Sequence, residues 1–413
     1  MLIHTPAILL GRLARIAARI RKPGGGSAVP GLVVNKLAPG YLVSTLNSFP
    51  GGLVIVSGSS GKSTTTKMMV TILQAHGKRV FTNPSTANIA QGLTSALIER
   101  ASLTGRIDAD IAVLEMDEGH GARIAPQLSP GVVVLTNVMT DQIDRFHDSE
   151  RVLEYLAKIA TRSTGTVVLN HDDAMVTGLR ERVHAAVADF GVSAEVLAAQ
   201  PRGLGYAQTN PTRVSTGTIV TGITGRRASV NHQGQILEFQ IPARGAHYAV
   251  DAAAAIAGAA AVLGAEFSPT VTVDALSAMK PVFGRGEVVE VAGQAVEFVL
   301  VQNPASFQLN IDALDPGLDC VLFAMGSDVR DPGYFWPVDA RRLERVRLVT
   351  GSKAHEFALQ LAYQGVSIDE VQPDIGTAID AFLALPAPTV GVKTLVVTAD
   401  PMRRIRHQLG LTE

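Results

Sequence analysis

The chain has 413 residues, a formal net charge of −1 and one cysteine, with 46% hydrophobic and 18% charged residues. This length predicts about two to three domains, and the apolar content excludes a disordered chain. One cysteine excludes a disulfide framework within the chain. The balanced charge gives no indication of nucleic-acid binding, and no charge-free apolar run reaches the ~18 residues of a membrane-spanning helix.

The amino-terminal segment combines helically spaced apolar residues with basic ones. The apolar positions are Leu9, Leu10, Leu13, Ile16 and Ile20, and the basic positions are Arg12, Arg15, Arg19, Arg21 and Lys22. The charges interrupt the apolar core that a secretory signal needs. The pattern predicts an amphipathic helix that ends at residues 23–26. Two roles stay open: a packing helix with solvated arginines, or loose docking to an anionic membrane surface.

The most informative motif follows an apolar run at residues 53–56, which is typical of a buried parallel strand. The loop after this run contains Gly58, Ser59, Ser60, Gly61, Lys62, Ser63 and Thr64, and a helical pattern follows. A phosphate-binding loop typically lies between a strand and a helix and contains a glycine-rich turn followed by Lys-Ser. Backbone N–H groups would cradle phosphates, Lys62 would add a positive charge, and Ser63 would offer its hydroxyl to Mg²⁺.

Acidic residues end the next predicted strand, at residues 111–116. Glu115 lies near the carboxyl end of this strand, and Asp117 and Glu118 come directly after it. Ligands of open α/β sheets bind at this edge, and Mg²⁺ prefers carboxylate and water oxygens. We therefore predict that Glu115 ligates Mg²⁺, directly or through water. Any one of the three acids could instead be a solvated charge at a strand end.

Two further predicted strands, at residues 131–135 and 166–169, also lead into polar clusters. The first cluster contains Asn137, Asp141, Gln142, Asp144 and Arg145, and the second contains Asn170, His171, Asp172 and Asp173. Asn170 and Asp172 suit recognition of a nucleotide base or ribose, although the same cluster also makes a good turn. Strands that alternate with helical stretches predict a doubly wound, mostly parallel sheet.

Together these motifs resemble the Mur ligase family, whose ATP-dependent enzymes join an amine to a carboxylate. The matching segments are SGSSGKSTT, LEMDEG, TNVMTDQIDRF, LNHDD and, at residues 284–287, GRGE. Residues 141–145 are most similar to the MurT type, with Ile143 in place of its leucine. Other Mur ligases usually have histidine where this chain has Gln142. The carboxyl-terminal half also resembles the MurT type, through QNPASF, SDVRDPGYFWPVD, GSKAHEFALQLAYQGV and TADPMRRIR.

The resemblance implies a function. MurT-type proteins are synthetase subunits of lipid II isoglutaminyl synthase, and their partner is a separate GatD-like glutaminase with which they form a heterodimer. They use ATP to activate the α-carboxylate of D-glutamate in the peptidoglycan stem peptide, through an acyl phosphate. Ammonia from the glutaminase then gives D-isoglutamine. The resemblance thus implies ATP, Mg²⁺ and a lipid II-like precursor as ligands of this chain.

The resemblance also implies residue roles. Lys62 and Ser63 would hold phosphates and Mg²⁺, and Glu115 would ligate Mg²⁺. Asn170 and Asp172 would lie near the nucleotide, and Arg285 near its phosphates. Asp331, with Asp328 as the alternative, would complete the Cys-His pair of the glutaminase partner.

Some positions depart from the family pattern. Residues 191–245 contain no cysteine, so we predict no structural zinc where many MurT-type proteins carry a four-cysteine ribbon. Tyr248 and Asp251 stand where many Mur ligases have asparagines that touch adenine, and Gln302 stands where MurT-like chains often have lysine. Cys320 lies in an apolar run, which predicts an inert core thiol. A glutaminase nucleophile must therefore come from another chain.

The expected fold class is α/β, with a helical and linker segment at residues 1–48 and a Mur ligase-like ATP-binding domain at 49–265. The second α/β domain, at 266–413, has strands predicted at 296–301, 320–325, 347–350 and 394–398. The pattern of residues 212–241 predicts antiparallel strands added to the first sheet. The composition of residues 248–263 predicts an alanine-rich helix. ATP is expected in the cleft between the two domains.

Two other functions stay open. One is a stand-alone amino-acid-adding ligase of the Mur or folylpolyglutamate type, which usually has an amino-terminal substrate domain larger than residues 1–48 provide. The other is a nucleotide-binding regulatory module without catalysis, which Lys62, Ser63 and Glu115 disfavour. The amidating enzyme is expected in the cytoplasm, at the inner face of the plasma membrane if it contacts a membrane peripherally.

Overall fold

The computed structural model describes residue 6 and residues 8–13, 29–84, 89–102, 105–139, 148–200, 202–212, 216–281 and 284–411. These ranges form two sheets, one in each half of the chain, with helices on both faces of each sheet. The predicted α/β class is therefore confirmed. The predicted loop at residues 141–145 lies outside the described residues.

The first sheet has nine described strands in the order β2-β3-β1-β4-β5-β6-β7-β8-β9. The strands are β1 Leu53–Ser57, β2 Val80–Phe81, β3 Ile111–Glu115, β4 Val132–Leu135, β5 Thr166–Asn170, β6 Ala186–Val192, β7 Thr218–Thr224, β8 Arg227–His232 and β9 Gln235–Gln240. Neighbours from β2 to β7 pair in parallel. The last two pairs are antiparallel, as the sequence predicts.

Ten described α-helices surround this sheet, in addition to a helical segment at residues 8–13. They are α1 Val29–Leu37, α2 Tyr41–Leu46, α3 Lys62–Ala75, α4 Ala90–Arg100, α5 Glu118–Ile124, α6 Ser149–Ala160, α7 Ala174–Gly178, α8 Ala194–Ala198, α9 Ala246–Leu263 and α10 Pro269–Ser277. Successive residues of a strand face opposite layers. Val54 and Val56 therefore pack with α3 and α9, while Leu53 and Ile55 pack with the layer that contains α4 and α6.

The described part of the amino-terminal segment packs on the second of these layers. Residues 8–13 are helical, and Ile8 is fully buried. Gly11 lies directly against Val34 of α1 and Ile98 of α4. Arg12 Nη2 donates a hydrogen bond to the Ile98 carbonyl at 3.3 Å. One face of the predicted amphipathic helix is thus a packing face, and its continuation over residues 14–28 lies outside the described residues.

Helix α9 is the core helix of the first half. By length and composition alone, the stretch Ala246–Glu266 is apolar enough to cross a membrane, the single such stretch among the described residues. In the fold, 72% of its most apolar window is buried, against α3 and the strands from β4 to β8. Its small alanine side chains permit this close approach to the sheet. Burial in the core therefore accounts for the apolar composition of this helix.

The second sheet has six described strands in the order β10-β11-β15-β12-β13-β14. They are β10 Arg285–Val291, β11 Gln294–Leu300, β12 Val321–Ala324, β13 Arg345–Thr350, β14 Ser367–Gln372 and β15 Lys393–Val397. The helices are α11 Pro304–Ala313, α12 Ala354–Tyr363, α13 Ile375–Ala384 and α14 Ala399–Gln408. Strands β10 and β11 pair antiparallel, and all other pairs are parallel. The four strands predicted here correspond to β11, β12, β13 and β15.

Helix α10 lies between the two sheets in sequence but packs with the first. It contacts α3 and β9, and Ser268 caps its first turn through a hydrogen bond with the Val271 N–H at 3.4 Å. The predicted domain division after residue 265 separates this helix from those partners. The second sheet begins only at Arg285.

An ion-pair network joins the two halves. Arg244, just before α9, pairs with Glu297 of β11 and with Asp315 after α11. Glu297 is buried, and its burial raises the pKa of the carboxyl although Arg244 opposes the rise. A buried carboxylate that loses its cation is costly because neither water nor charge compensates it. The arginine therefore holds the two sheets in one arrangement.

Arg244→Ala should lower the free energy of unfolding by about 2 to 3 kcal/mol, below the range for fully buried pairs because the arginine is partly exposed. The control is Arg227→Ala, because Arg227 and Glu238 form an exposed pair and the loss of this pair should cost less than about 1 kcal/mol. Urea titration of the wild type and both variants measures the free energies of unfolding. Equal effects of the two substitutions would contradict a special role for Arg244.

Candidate active site

The phosphate-loop motif forms the turn between β1 and α3. Strand β1 ends at Ser57, and helix α3 begins at Lys62. Gly58 has φ 136° and Gly61 has φ 81°, both in the region that favours glycine. A Cβ atom on either residue would also overlap a neighbouring side chain, Thr136 or Asp251. Both glycines are therefore required by the shape of the loop.

The residues after β4 hold this loop in place. The Ser59 N–H donates to the Asn137 carbonyl at 2.9 Å. The Ser60 N–H donates to Asn137 Oδ1 at 2.9 Å, and Thr136 Oγ1 donates to the Ser60 carbonyl at 2.7 Å. The Met139 N–H donates to Ser59 Oγ at 3.2 Å. Thr136 and Asn137 thus act as a brace for the phosphate loop, a role that the sequence alone did not assign.

Lys62 lies at the start of α3 among carbonyls and carboxylates. Its Nζ donates to the carbonyls of Gly58 and Ser59 and to Glu118 Oε1, the last at 3.1 Å. Burial alone lowers the pKa of Lys62, but Glu118, Glu115 and Asp117 outweigh it and hold the pKa above its usual value. The ammonium is therefore charged at neutral pH. Ser63 and Thr64 follow in the first turn of the same helix.

Three acids face this lysine from the end of β3. Asn83 fixes the backbone of Glu115 through hydrogen bonds of 3.1 and 3.0 Å to its N–H and carbonyl. Asp117 caps α5 by accepting from the His120 N–H at 3.1 Å. Glu118 is fully buried, and its Oε2 atom has no hydrogen-bond partner among the described residues. No local pattern in the sequence assigns Glu118 a role, because its contact with Lys62 joins positions far apart in the chain.

This donor set fits a divalent cation bound with nucleotide phosphates. Glu115 and the orphaned oxygen of Glu118 are buried carboxylates, and Ser63 supplies a hydroxyl at the start of α3. Mg²⁺ takes one or two carboxylates together with phosphate and water oxygens. Within the described residues there is no group of three or more His, Cys, Asp or Glu side chains that would form an all-protein cage. The absence of a structural zinc ion from the central domain stays a prediction.

Asn170 is the last residue of β5, Asp172 follows it by two residues, and both are buried. Asn170 Nδ2 donates to the Thr136 carbonyl at 2.7 Å. Asn170 Oδ1 accepts from the Asp172 N–H at 3.0 Å, and Asp172 Oδ2 accepts from the Val192 N–H at 2.8 Å. These bonds connect the ends of β4, β5 and β6. Nucleotide contact by either residue stays a prediction, whereas their bracing of this edge is directly visible.

Asp251 of the first half lies against the phosphate loop, and the charge of Arg285 from the second half acts on its carboxyl. Asp251, in α9, lies against Gly61. Burial raises the pKa of Asp251 to about 8, and the charge of nearby Arg285 only partly opposes this rise. Arg285 begins the second sheet, and its Nη2 donates to Gln302 Oε1 at 3.4 Å. The position of Arg285 near the nucleotide phosphates stays a prediction.

The aspartates of the second domain have different surroundings. Asp328 Oδ1 accepts from Thr398 Oγ1 at 2.9 Å, and Asp328 Oδ2 accepts from the Ala399 N–H at 2.9 Å. Asp328 therefore fixes the start of α14. Asp331 is exposed and accepts from the Gly333 N–H of its own turn at 2.8 Å. Cys320 is buried, and its burial raises the pKa of the thiol.

Known proteins are similar to this chain in sequence and in fold. The sequence model of the Mur ligase middle domain matches residues 56–259. A lipid II isoglutaminyl synthase (glutamine-hydrolyzing) subunit MurT of Streptococcus pneumoniae is 26% identical over 89% of this chain and 88% of its own length. A UDP-N-acetylmuramate–L-alanine ligase of Thermobifida fusca is 30% identical over 86% of this chain and 66% of its own length.

A solved structure gives the same arrangement. Folylpolyglutamate synthase of Mycobacterium tuberculosis, complexed with ADP, superposes with a TM-score of 0.68 at 17% identity. The match covers 98% of this chain and 99% of that chain. The Mur ligase middle domain and the similarity to a MurT subunit show that the chain is an ATP-dependent ligase. The chain belongs to the Mur ligase family, as its motifs predict.

Lys62→Ala should reduce ATP turnover at least about a hundred-fold, because it removes the charge aimed at the phosphates. It should also destabilise the fold, since Glu118 then stays buried without a cation. The double variant Lys62→Ala/Glu118→Gln should recover stability but not turnover. Phosphate release and thermal unfolding measure the two effects. The control is Lys78→Ala, since that lysine forms an exposed pair with Glu266. Near wild-type turnover in Lys62→Ala would exclude the phosphate-loop assignment.

The affinity for ADP should fall as pH rises through about 8. Asp251 is mostly neutral below this value, and bound phosphates favour the neutral form further. Ionisation therefore opposes binding, by up to about ten-fold per pH unit. Calorimetry between about pH 7 and pH 9 measures this slope. Asp251→Asn should flatten it, whereas Asp274→Asn, at an exposed site, should not. A slope that persists in Asp251→Asn would assign the titration to another group.

Proposed function

We propose that this ligase is a MurT-type synthetase that amidates the D-glutamate α-carboxylate of a peptidoglycan stem peptide, with ammonia from a GatD-like glutaminase. The observation that carries the proposal is the match to a MurT subunit over 89% of this chain and 88% of that protein. The proposed precursor is lipid-linked, as in the name of that relative. A match of this breadth extends over most of both halves of the chain.

The proposed chemistry follows from the phosphate loop and its acids. ATP and Mg²⁺ would supply a transferable phosphoryl group, which turns a poor electrophile into an acyl phosphate with a good leaving group. Lys62 and the N–H groups of the loop would hold the phosphates. Glu115 and Glu118 would hold the cation, and the closure of the two domains around Arg285 and Asp251 would exclude water. Ammonia would then displace phosphate and form the amide.

The ammonia source must lie outside this chain. Glutamine hydrolysis of the amidotransferase type needs a nucleophilic cysteine. The chain has one cysteine in its whole sequence, and that residue, Cys320, is buried with a raised pKa. A thiol in such surroundings is a poor nucleophile. A separate glutaminase subunit is the arrangement that fits this composition.

The loop after β12 supports a contact with such a subunit. Asp331 is exposed with its carboxylate engaged only locally among the described contacts. Trp336 is 51% exposed and stacks edge-on with Tyr363 at 5.6 Å between ring centroids. Exposed aromatic side chains beside charged groups are typical of interface centres. Asp331 is therefore the better candidate than Asp328 for the third member of a Cys-His-Asp triad, since Asp328 is occupied by α14.

The alternative is a stand-alone amino-acid-adding ligase. Identity of 30% to a ligase that uses L-alanine favours it. The two functions share the phosphate loop and differ in the nucleophile. An assay that offers ammonia and amino acids separately to the purified chain, with a stem peptide and ATP, distinguishes them. Amide formation with ammonia supports the amidating function, and peptide-bond formation with an amino acid supports the alternative.

Asp331→Asn should block amidation driven by glutamine in the complex with a glutaminase, but not amidation driven by free ammonia. The carboxylate orients and stabilises the charged imidazole of the partner, as in triads generally, and has no part in the ATP site. Product formation with each nitrogen source measures the difference.

Asp328→Asn serves as the matched control. It loses two hydrogen bonds at the start of α14 and should lower stability by about 1 to 3 kcal/mol without separating the two activities. Loss of both activities in Asp331→Asn would move this residue into the synthetase site. Loss of neither would remove it from the proposed triad.

A further inference from the structure

We propose that the exposed apolar face of residues 8–13 and α1, which we call the leucine face, docks the protein on an anionic lipid membrane. The leucine face consists of Leu9, Leu10, Leu13, Val29, Leu32 and Leu37. The activity proposed above does not assign any role to these residues. Vesicle binding can be measured without any reaction, so this proposal stands or fails independently of the proposed function.

The first helical turns separate a buried side from an apolar exposed side. Ile8 is fully buried and Gly11 packs against α1 and α4. Leu9, Leu10 and Leu13 are 44%, 48% and 61% exposed. At 100° per residue these three leucines lie together on the side opposite Ile8 and Gly11. An exposed helix face made only of leucine is unusual for a surface that meets water alone.

Helix α1, which packs beside this segment, also exposes leucines. Its buried residues are Pro30, Gly31 and Val34, and Gly31 lies directly against Gln91 and Ser95 of α4. Leu32 and Leu37 are 52% and 56% exposed. Val34 is also the residue that Gly11 contacts, so α1 and residues 8–13 pack against each other. The exposed leucines therefore belong to one region rather than to scattered positions.

The charge of this region distinguishes it from the rest of the chain. Residues 1–48 contain six basic residues and no acidic one, whereas residues 49–413 have an excess of seven acidic residues. The first acidic residue of the chain is Glu99. Lys36 is exposed on α1, and Arg15, Arg19, Arg21 and Lys22 belong to the segment that connects Leu13 to Val29.

This combination favours a bilayer over a protein partner. Apolar side chains that enter the interface, with basic residues tethered beside them, are the pattern of peripheral binding to anionic lipid. Segregation of positive charge at one end and negative charge over the remainder orients the molecule at such a surface. A second copy of this chain would instead bring two basic, acid-free segments together, which is electrostatically unfavourable.

Sedimentation of the full chain with vesicles tests the proposal. The probes are vesicles of pure phosphatidylcholine and vesicles of phosphatidylcholine and phosphatidylglycerol in equal parts. The wild-type protein should sediment with the anionic vesicles, and high salt should release it. Leu9→Gln/Leu10→Gln/Leu13→Gln should lower the partition coefficient at least about ten-fold. The control Ile236→Thr/Leu359→Gln, which changes exposed apolar residues far from this segment, should bind like the wild type.

Four results would overturn the proposal. The first is no sedimentation of the wild-type protein with anionic vesicles. The second is equal binding of the triple variant and the wild type, with circular dichroism showing both to be folded. The third is concentration-dependent dimerisation of the wild type that the triple variant loses, which would make the leucine face a contact between copies. Binding to pure phosphatidylcholine as strong as to the anionic vesicles would likewise contradict the charge argument.

Discussion

The active site depends on one buried charge, the ammonium of Lys62. A buried cation is costly unless acceptors and opposite charges surround it. Two loop carbonyls and Glu118 accept its hydrogen bonds, and Glu115 and Asp117 add negative charge. Bound phosphates would compete with Glu118 for this ammonium and so free a carboxylate beside Glu115. The same acids can thus stabilise the empty loop and contribute to a cation site when nucleotide is present.

Charged residues of both domains lie beside this site. Asp251 lies against Gly61, and the charge of Arg285 partly opposes the rise of its pKa. Arg244, just before α9, forms ion pairs with Glu297 and Asp315 of the second domain. The electrostatic environment of the phosphate loop therefore depends on the relative position of the two sheets. In a ligase this coupling is useful, because an activated carboxylate must be kept from water until the nucleophile arrives.

Patterns along the chain predicted most of the fold, and contacts across it supplied the rest. Apolar runs and the glycine-rich turn predicted β1, β3, β4 and β5 because each has a local signature. Strand β14 was missed since its sequence, SIDEVQ, is largely exposed and polar. Within the site, Lys62 and Glu115 follow from a motif. The partnership of Lys62 with Glu118 and the contact of Asp251 with Gly61 join residues far apart in sequence, so no local pattern could predict them.

The transfer of oxygen during the reaction tests the central claim most directly. A stem peptide with ¹⁸O in the D-glutamate α-carboxylate is incubated with the enzyme, ATP, Mg²⁺ and ammonia, and the phosphate released is analysed by mass spectrometry. If the carboxylate attacks the γ-phosphorus and ammonia then displaces phosphate, one ¹⁸O atom appears in phosphate for each amide formed. Amide formation with unlabelled phosphate would contradict an acyl phosphate, and labelled phosphate with an amino acid but not with ammonia would contradict the amidating function.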